Sequence, residues 1–148
     1  MFYGATNMID DGLSLERYSF EADEWHVAFR ARSGDTAGAV EVYLHPEDLL
    51  EWADHLLAFG ASVKDEAHLE FGSPDPKWAY HLVARAFILN NSGHAAVEFA
   101  SDNRFDPPAG AQTRLFIPCE VAAINRLGQY VRTWVKETAA PLVWTPAP

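Results

Sequence analysis

Cysteine and long apolar runs are scarce in this sequence, and each shortage argues against a class of protein. The single cysteine, Cys119, has no partner for an intramolecular disulfide, which is typical of a reducing cytoplasm. No apolar run approaches the roughly 20 residues that span a bilayer. Residues 1–11 lack the basic and apolar segments of a signal peptide. We therefore expect a cytoplasmic protein with no membrane partner.

Basic side chains are also few, with 11 Lys and Arg against 21 Asp and Glu and a net charge of −10. Binding to phosphates requires clustered Lys and Arg, so this balance predicts no nucleic-acid partner. The charge is uneven, because residues 1–72 carry 15 acidic and 4 basic side chains whereas residues 73–148 carry 6 and 7. Two interpretations remain open: simple solubility, or an acidic surface for a basic protein partner.

Motifs of common catalytic and cofactor sites are missing. The glycines are isolated, so no phosphate-binding loop is present, and no histidine spacing places two metal ligands on one helix face. A hairpin turn after residue 72 sets His68 close to His81, but no third ligand accompanies them. Ser92 and His94 lie in a tight turn without the surroundings of a serine nucleophile. We expect no cofactor, no metal and no catalytic residue, and favour a protein that is not an enzyme.

Alternation of apolar and polar residues predicts seven strands. Residues 24–32 and 37–44 alternate with period two, and a turn at Gly34-Asp35 sets Phe29 opposite Val40. Apolar residues on both faces of 78–89 predict a central strand that is covered on both sides. The other strands are predicted at residues 13–21, 67–71, 93–100 and 112–117.

Apolar residues at three- and four-residue steps predict amphipathic helices at residues 46–59 and 120–136, with Asn125 facing water. The order βββ-α-ββββ-α with hairpin-length connections predicts an α+β fold. We expect one mostly antiparallel sheet of six to seven strands with both helices packed on it. Eleven apolar side chains are expected to be buried: Trp25, Phe29, Val42, Leu49, Trp52, Leu56, Leu82, Ile124, Leu127, Val131 and Trp134.

Residues 1–138 are expected to form a single domain, and residues 139–148 a Pro-rich C-terminal tail. The tail contains Leu142, Val143 and Trp144. An apolar segment of this kind is a liability in water, so we expect the tail to dock on the domain rather than to form an element of its own.

Two groups of side chains are candidate binding sites. Glu47, Glu51 and Asp54 share the exposed face of the first helix, and they are the candidate contact for a basic partner, with solvation as the alternative. A second group lies on predicted strands and forms a polar pocket for a small anionic ligand if its members line one sheet face. The alternative for this group is an exposed face with ion pairs. Its members are His26, Arg30, His81 and Arg85.

Three stretches resemble a type of small bacterial protein: HVAFRAR at 26–32, GAVEVYLHPEDLLEWADHL at 38–56 and SGHAAVEFA at 92–100. Some proteins of this type resemble immunity proteins of contact-dependent toxin systems. The resemblance implies a stand-alone acidic protein that neutralises a basic toxin, and it carries no catalytic residue across. The expected function is therefore a non-catalytic protein-binding module. The alternative is a small-ligand-binding protein or small enzyme that uses the His26, Arg30, His81 and Arg85 face.

Overall fold

The first three strands form an antiparallel meander. The computed structural model describes residues 10–18, 23–137 and 140–147. Strand β1 spans Gly12–Arg17, β2 spans Trp25–Ser33 and β3 spans Thr36–Leu44. The turn between β2 and β3 is at residues 34–35 and Phe29 lies opposite Val40, so the predicted register is confirmed. The end predicted for the first strand, 19–21, lies outside the described residues.

Two helices and five further strands follow along the chain. Helix α1 leads from the meander into a second group of strands, and helix α2 leads from that group to a short final strand. Their bounds are α1 Pro46–Ala58, β4 Glu66–Gly72, β5 His81–Ile88, β6 His94–Asp102, β7 Gln112–Glu120, α2 Val121–Glu137 and β8 Leu142–Trp144.

The strands form two antiparallel sheets of four, so the prediction of one sheet with six or seven strands was wrong. The first sheet has the order β3-β2-β1-β8 and the second the order β4-β5-β6-β7. Alternation shows which face of a strand is buried, but it does not show whether strands on either side of a helix share hydrogen bonds. The sequence therefore predicted an α+β fold and antiparallel pairing. It did not predict that the strands before α1 and the strands β4 to β7 after it form separate sheets.

The tail supplies the eighth strand. Leu142 pairs with Leu15 and Trp144 with Leu13, so β8 extends the first sheet beside β1. The expected docking of the tail is confirmed, but the expectation that the tail forms no element of its own was wrong, because residues 142–144 form a strand. Two prolines of the described tail, Pro141 and Pro146, flank this edge strand, and prolines at such positions hinder pairing with further chains.

One hydrophobic core joins the inner faces of both sheets to both helices, and all eleven residues predicted to be buried belong to it. The two helices cross at Gly128, where an added Cβ would lie only 2.9 Å from Leu56 Cβ. Asn125 lies near the same crossing and does not face water as predicted. Its Nδ2 donates hydrogen bonds to the carbonyls of Leu56 and Phe59 at 2.9 and 3.0 Å. These bonds supply partners for carbonyl groups at the C-terminal end of α1.

Strand β5 is central in the second sheet, as predicted, but it begins at His81 rather than Trp78. Residues 78–80 belong to the preceding loop. Its second face is only half-buried, so among the described residues the predicted cover on both sides is incomplete. No helix in the described ranges is long and apolar enough to cross a membrane.

Candidate binding groove

The four residues predicted to form one polar pocket lie on two different sheets. His26 and Arg30 are on β2, on the outer face of the first sheet, because they alternate with the core residues Val27 and Phe29. His81 and Arg85 are on β5, in the second sheet. The structure therefore brings the residues together in pairs and does not form a single pocket from all four.

The second pair is engaged in ion pairs. His81 Nε2 lies 2.6 Å from Glu70 Oε2, and this hydrogen bond holds the pKa of Glu70 below its usual range. Arg85 donates from Nε to Glu98 at 2.9 Å and from Nη1 to Glu66 at 3.2 Å. These contacts match the alternative interpretation, a sheet face with ion pairs.

The first pair lines an open groove of about 390 Å³. Its floor is the outer face of β2 and β3, where Ala28 and Ala39 leave room above the sheet. One wall contains His26 and Tyr43, whose rings stack with centroids 4.6 Å apart. The opposite wall is formed by two loops of the second sheet. The loop between β4 and β5 contributes Ala79 and Tyr80, and the loop between β6 and β7 contributes Asn103 and Phe105.

Tyr80 attaches the first of these loops to the first sheet. Its hydroxyl accepts a hydrogen bond from the backbone N–H of Tyr43 at 3.1 Å and donates to the carbonyl of the same residue at 3.2 Å. Because β3 is an edge strand of its sheet, no further strand of the described residues pairs with these backbone groups. The phenol thus replaces a strand partner and fixes the distance between the two walls.

Arg104 holds the two loops together. Its guanidinium donates to the carbonyls of Ser73, Asp75 and Trp78 at 2.8, 2.8 and 3.1 Å, and to Asp102 Oδ2 at 2.9 Å. The backbone N–H of Arg104 also binds Asp102, and this bond holds the pKa of that carboxyl below its usual range. The wall is therefore preformed, which lowers the entropy cost of binding.

Aromatic rings on these walls face solvent. Tyr43 is 53% exposed and Phe105 is 64% exposed, and both line the groove. Trp78, on the same loop as Tyr80, is 56% exposed. Exposed aromatic residues around a preformed groove are typical of binding surfaces, where Trp and Tyr contribute most to affinity.

The accessible charge in the groove is negative. Arg30 is largely buried, and its guanidinium binds Glu16 at 3.2 Å and the Tyr18 hydroxyl at 2.6 Å. Glu41 is half-exposed, and its Oε1 lies 2.8 Å from His26 Nε2. An incoming ligand therefore meets a carboxylate and aromatic faces before it meets the arginine.

The predicted acidic face of α1 is present. Glu47, Glu51 and Asp54 are all exposed, and Asp54 forms an ion pair with Arg132 of α2 at 2.8 Å. Helix α1 starts three residues after Tyr43, so its acidic first turn follows directly on the end of the groove.

Cys119, His68 and His81, which the sequence offered as candidates for chemistry, lie outside the groove. Burial raises the pKa of the Cys119 thiol to about 11, so this thiol is not a nucleophile near neutral pH. His68 and His81 approach the same carboxylate, Glu70, at 3.3 and 2.6 Å. Within residues 10–18, 23–137 and 140–147, no three His, Cys, Asp or Glu side chains are placed to hold a metal ion. The expected absence of a metal stays a prediction.

Sequence patterns missed most of the groove. The alternation of β3 already placed Tyr43 on the solvent side, so that residue had a signal. Tyr80 was assigned to a strand, and nothing local indicates that its hydroxyl reaches β3. Arg104 and Phe105 follow a strand without any recognisable motif. These residues meet only because the two sheets are packed together.

No family model and no curated protein sequence matches the chain. The similarities to known proteins are therefore to solved structures. A structure of the plant transcriptional regulator PBF-2 shares 11% identity, with a TM-score of 0.42 over 87% of this chain and 82% of that chain. WHY3 from Arabidopsis thaliana shares 12% identity, with a TM-score of 0.47 over 86% and 83%.

The exclusion of nucleic acid that the net charge predicted is corrected and not retained, because a plant transcriptional regulator is among these neighbours. TM-scores below 0.5 assign neither a partner nor an activity to this chain.

Proposed function

We propose that this protein is a non-catalytic binding module that holds a basic segment of a protein partner in the groove beside β3. The observation that supports the proposal is the combination of solvent-facing aromatic rings and an accessible carboxylate in one preformed groove. Tyr43 and Phe105 supply the rings, and Glu41 supplies the charge. Cationic side chains are attracted both to aromatic faces and to carboxylates.

Charge over the whole chain favours the same partner. The net charge is −10, and the exposed carboxylates of Glu47 and Glu51 continue from the end of the groove along α1. Such a field attracts a cationic segment over a distance, and the groove then fixes its register. A basic toxin, the partner of an immunity-type protein, has this chemistry, and we retain that function and a cytoplasmic location as part of the proposal.

The probe for this proposal is a short fluorescein-labelled oligoarginine peptide, whose binding is followed by fluorescence anisotropy. We expect the double variant Tyr43→Ala/Phe105→Ala to weaken binding about tenfold, because it removes two aromatic faces. Both side chains are exposed, so the fold should survive, and a thermal melt checks this.

Matched charge variants separate the groove from general attraction. Glu41→Gln and Glu51→Gln each remove one negative charge, but only Glu41 lines the groove. We expect Glu41→Gln to weaken peptide binding several-fold more than Glu51→Gln. Equal effects of the two variants would show that the peptide responds to net charge alone. Binding of a single-stranded oligonucleotide in place of the peptide, with the same sensitivity to Tyr43 and Phe105, would also overturn the proposal.

A further inference from the structure

The outer face of the second sheet carries an apolar patch that both helices leave open. Phe87 and Phe116 lie there with ring centroids 6.0 Å apart at 82°, and Phe116 is 39% exposed. Ala96 lies beside Phe87 on the neighbouring strand. Both helices contribute to the core on the opposite side of this sheet.

Arginines hold the two rings in place. The guanidinium of Arg85 lies 4.2 Å from the centroid of Phe87, and that of Arg114 lies 5.1 Å from the centroid of Phe116. Glu98 binds the Nε of both arginines, at 2.9 and 2.7 Å. Side chains that are already ordered lose little entropy when a surface docks on them.

Arg114 keeps donors for a further partner. Its side chain is 67% exposed, and among the described residues only Nε is engaged, by Glu98. Strand β7 forms one edge of this sheet, and β4, at the opposite edge, carries the exposed Glu70. The register of the four strands places Glu70 and Arg114 in one row across the sheet.

The geometry points to a second copy of this chain as the occupant of this face, related by a two-fold axis parallel to the strands. A rotation about that axis places β4 over the partner's β7. It does not shift residues along the strands, so each row of one sheet lies over the same row of the partner's sheet. Arg114 then faces the partner's Glu70, and Phe116 faces the partner's His68, and all four side chains are exposed. Opposite charges meet, and an exposed ring meets an imidazole, so the face is complementary to itself.

Sedimentation velocity tests the association over a range of protein concentrations. We expect the sedimentation coefficient of the parent chain to correspond to a particle with twice the mass of one chain. Phe116→Asp is expected to raise the dimer dissociation constant at least tenfold, because it removes the exposed ring and sets a carboxylate against the partner's β4, where Glu66 and Glu70 flank His68. Tyr130→Asp is the matched control, since Tyr130 is an aromatic residue of α2 with 40% exposure, and it should leave the dimer unchanged.

Charge exchange identifies the axis. Arg114→Glu and Glu70→Arg should each weaken the dimer, and the two together in one chain should restore it. Within one chain the two residues are separated by three strand spacings, about 14 Å, so restoration reports a contact between copies. If Phe116→Asp does not fold, Pro118→Glu on the same exposed face replaces it.

Two results would overturn the proposal: a parent chain that stays monomeric at every concentration, or a dimer that Phe116→Asp leaves intact. Loss of the dimer in the Tyr130→Asp control would place the contact on α2 instead. None of the residues changed in the dimer experiments lines the oligoarginine groove, so failure of the dimer and failure of the proposed function are separate outcomes.

Discussion

At the scale of single residues, Glu98 is the charged side chain that the described part of the chain buries most completely. Burial by itself would raise its pKa, but the hydrogen bonds from Arg114 and Arg85 outweigh it and hold the pKa below the usual range. A carboxyl with a lowered pKa in the folded state stabilises the fold above its pKa in the unfolded chain. That contribution is lost as the pH falls through the folded value.

Substitution of this carboxyl tests the argument. Glu98→Gln should lower the free energy of unfolding by about 1–3 kcal/mol at neutral pH, because two arginines lose a charged acceptor. The difference between variant and parent should shrink at pH values below about 4.3, the pKa of the carboxyl in the unfolded chain, and should be lost as the pH falls through the lowered pKa of the folded state. Urea unfolding at both pH values measures it. Glu51→Gln, on an exposed helix face, is the control and should change stability by no more than about 0.5 kcal/mol.

At the scale of elements, the final strand β8 determines whether the tail belongs to the fold. Trp144 is fully buried, and its indole donates to the carbonyl of Ala123 in α2 at 2.9 Å. Arg126 of the same helix donates to the carbonyls of Thr145 and Ala147, both at 2.7 Å. Three residues of strand are thus held by the sheet on one side and by α2 on the other.

Two neighbouring substitutions in β8 separate burial from strand pairing. Trp144→Ala should cost about 3–5 kcal/mol, because a large core side chain is lost. Val143→Ala changes an exposed residue of the same strand and should cost no more than about 0.5 kcal/mol. Chemical denaturation monitored by circular dichroism compares the two. Similar costs for both variants would mean that the tail is not anchored by Trp144.

At the scale of the whole molecule, the negative charge is concentrated on one half of the chain. Residues 1–72 contain 15 of the 21 acidic side chains, and these include the exposed face of α1. An uneven field of this kind orients a cationic partner during encounter, and salt weakens it. Like charges three and four residues apart on α1 give no folding advantage, which fits a surface kept for association or for solubility.

Neutralising α1 separates these two roles. Glu47→Gln, Glu51→Gln and Asp54→Asn together should lower the association rate of the oligoarginine peptide about three- to tenfold and flatten its salt dependence. The fold should survive, because the single exposed ion pair of Asp54 contributes at most about 1 kcal/mol.

The matched control removes the same number of charges elsewhere on the surface. It combines Asp106→Asn, Glu120→Gln and Glu137→Gln, three exposed residues of the other half. Stopped-flow measurements across ionic strength compare the two triple variants. If both slow association equally, only net charge matters and the face of α1 is a solvated surface.

Local structure could be predicted from the amino-acid sequence. Period-two alternation and the Gly34-Asp35 turn specified the register of β2 and β3, with Phe29 opposite Val40. The helical pattern gave α1 and α2 to within a residue at each end, and it identified the eleven buried side chains. Each of these features depends on residues that are close in the chain, so pattern and propensity were sufficient.

Features that depend on residues far apart in the chain could not be predicted from the sequence. Whether β3 and β4 share a sheet, where β8 pairs and how the loops approach β3 all depend on packing across the core. The groove exists because Tyr80 reaches the edge of β3 and Arg104 joins two loops, and neither contact leaves a local pattern. His26 and His81 show the same limit, because each lies on the outer face of its strand and yet the two strands belong to different sheets. Side-chain periodicity specifies the face of a strand on which a residue lies. Long-range strand pairing then specifies the surface of the protein to which that face belongs.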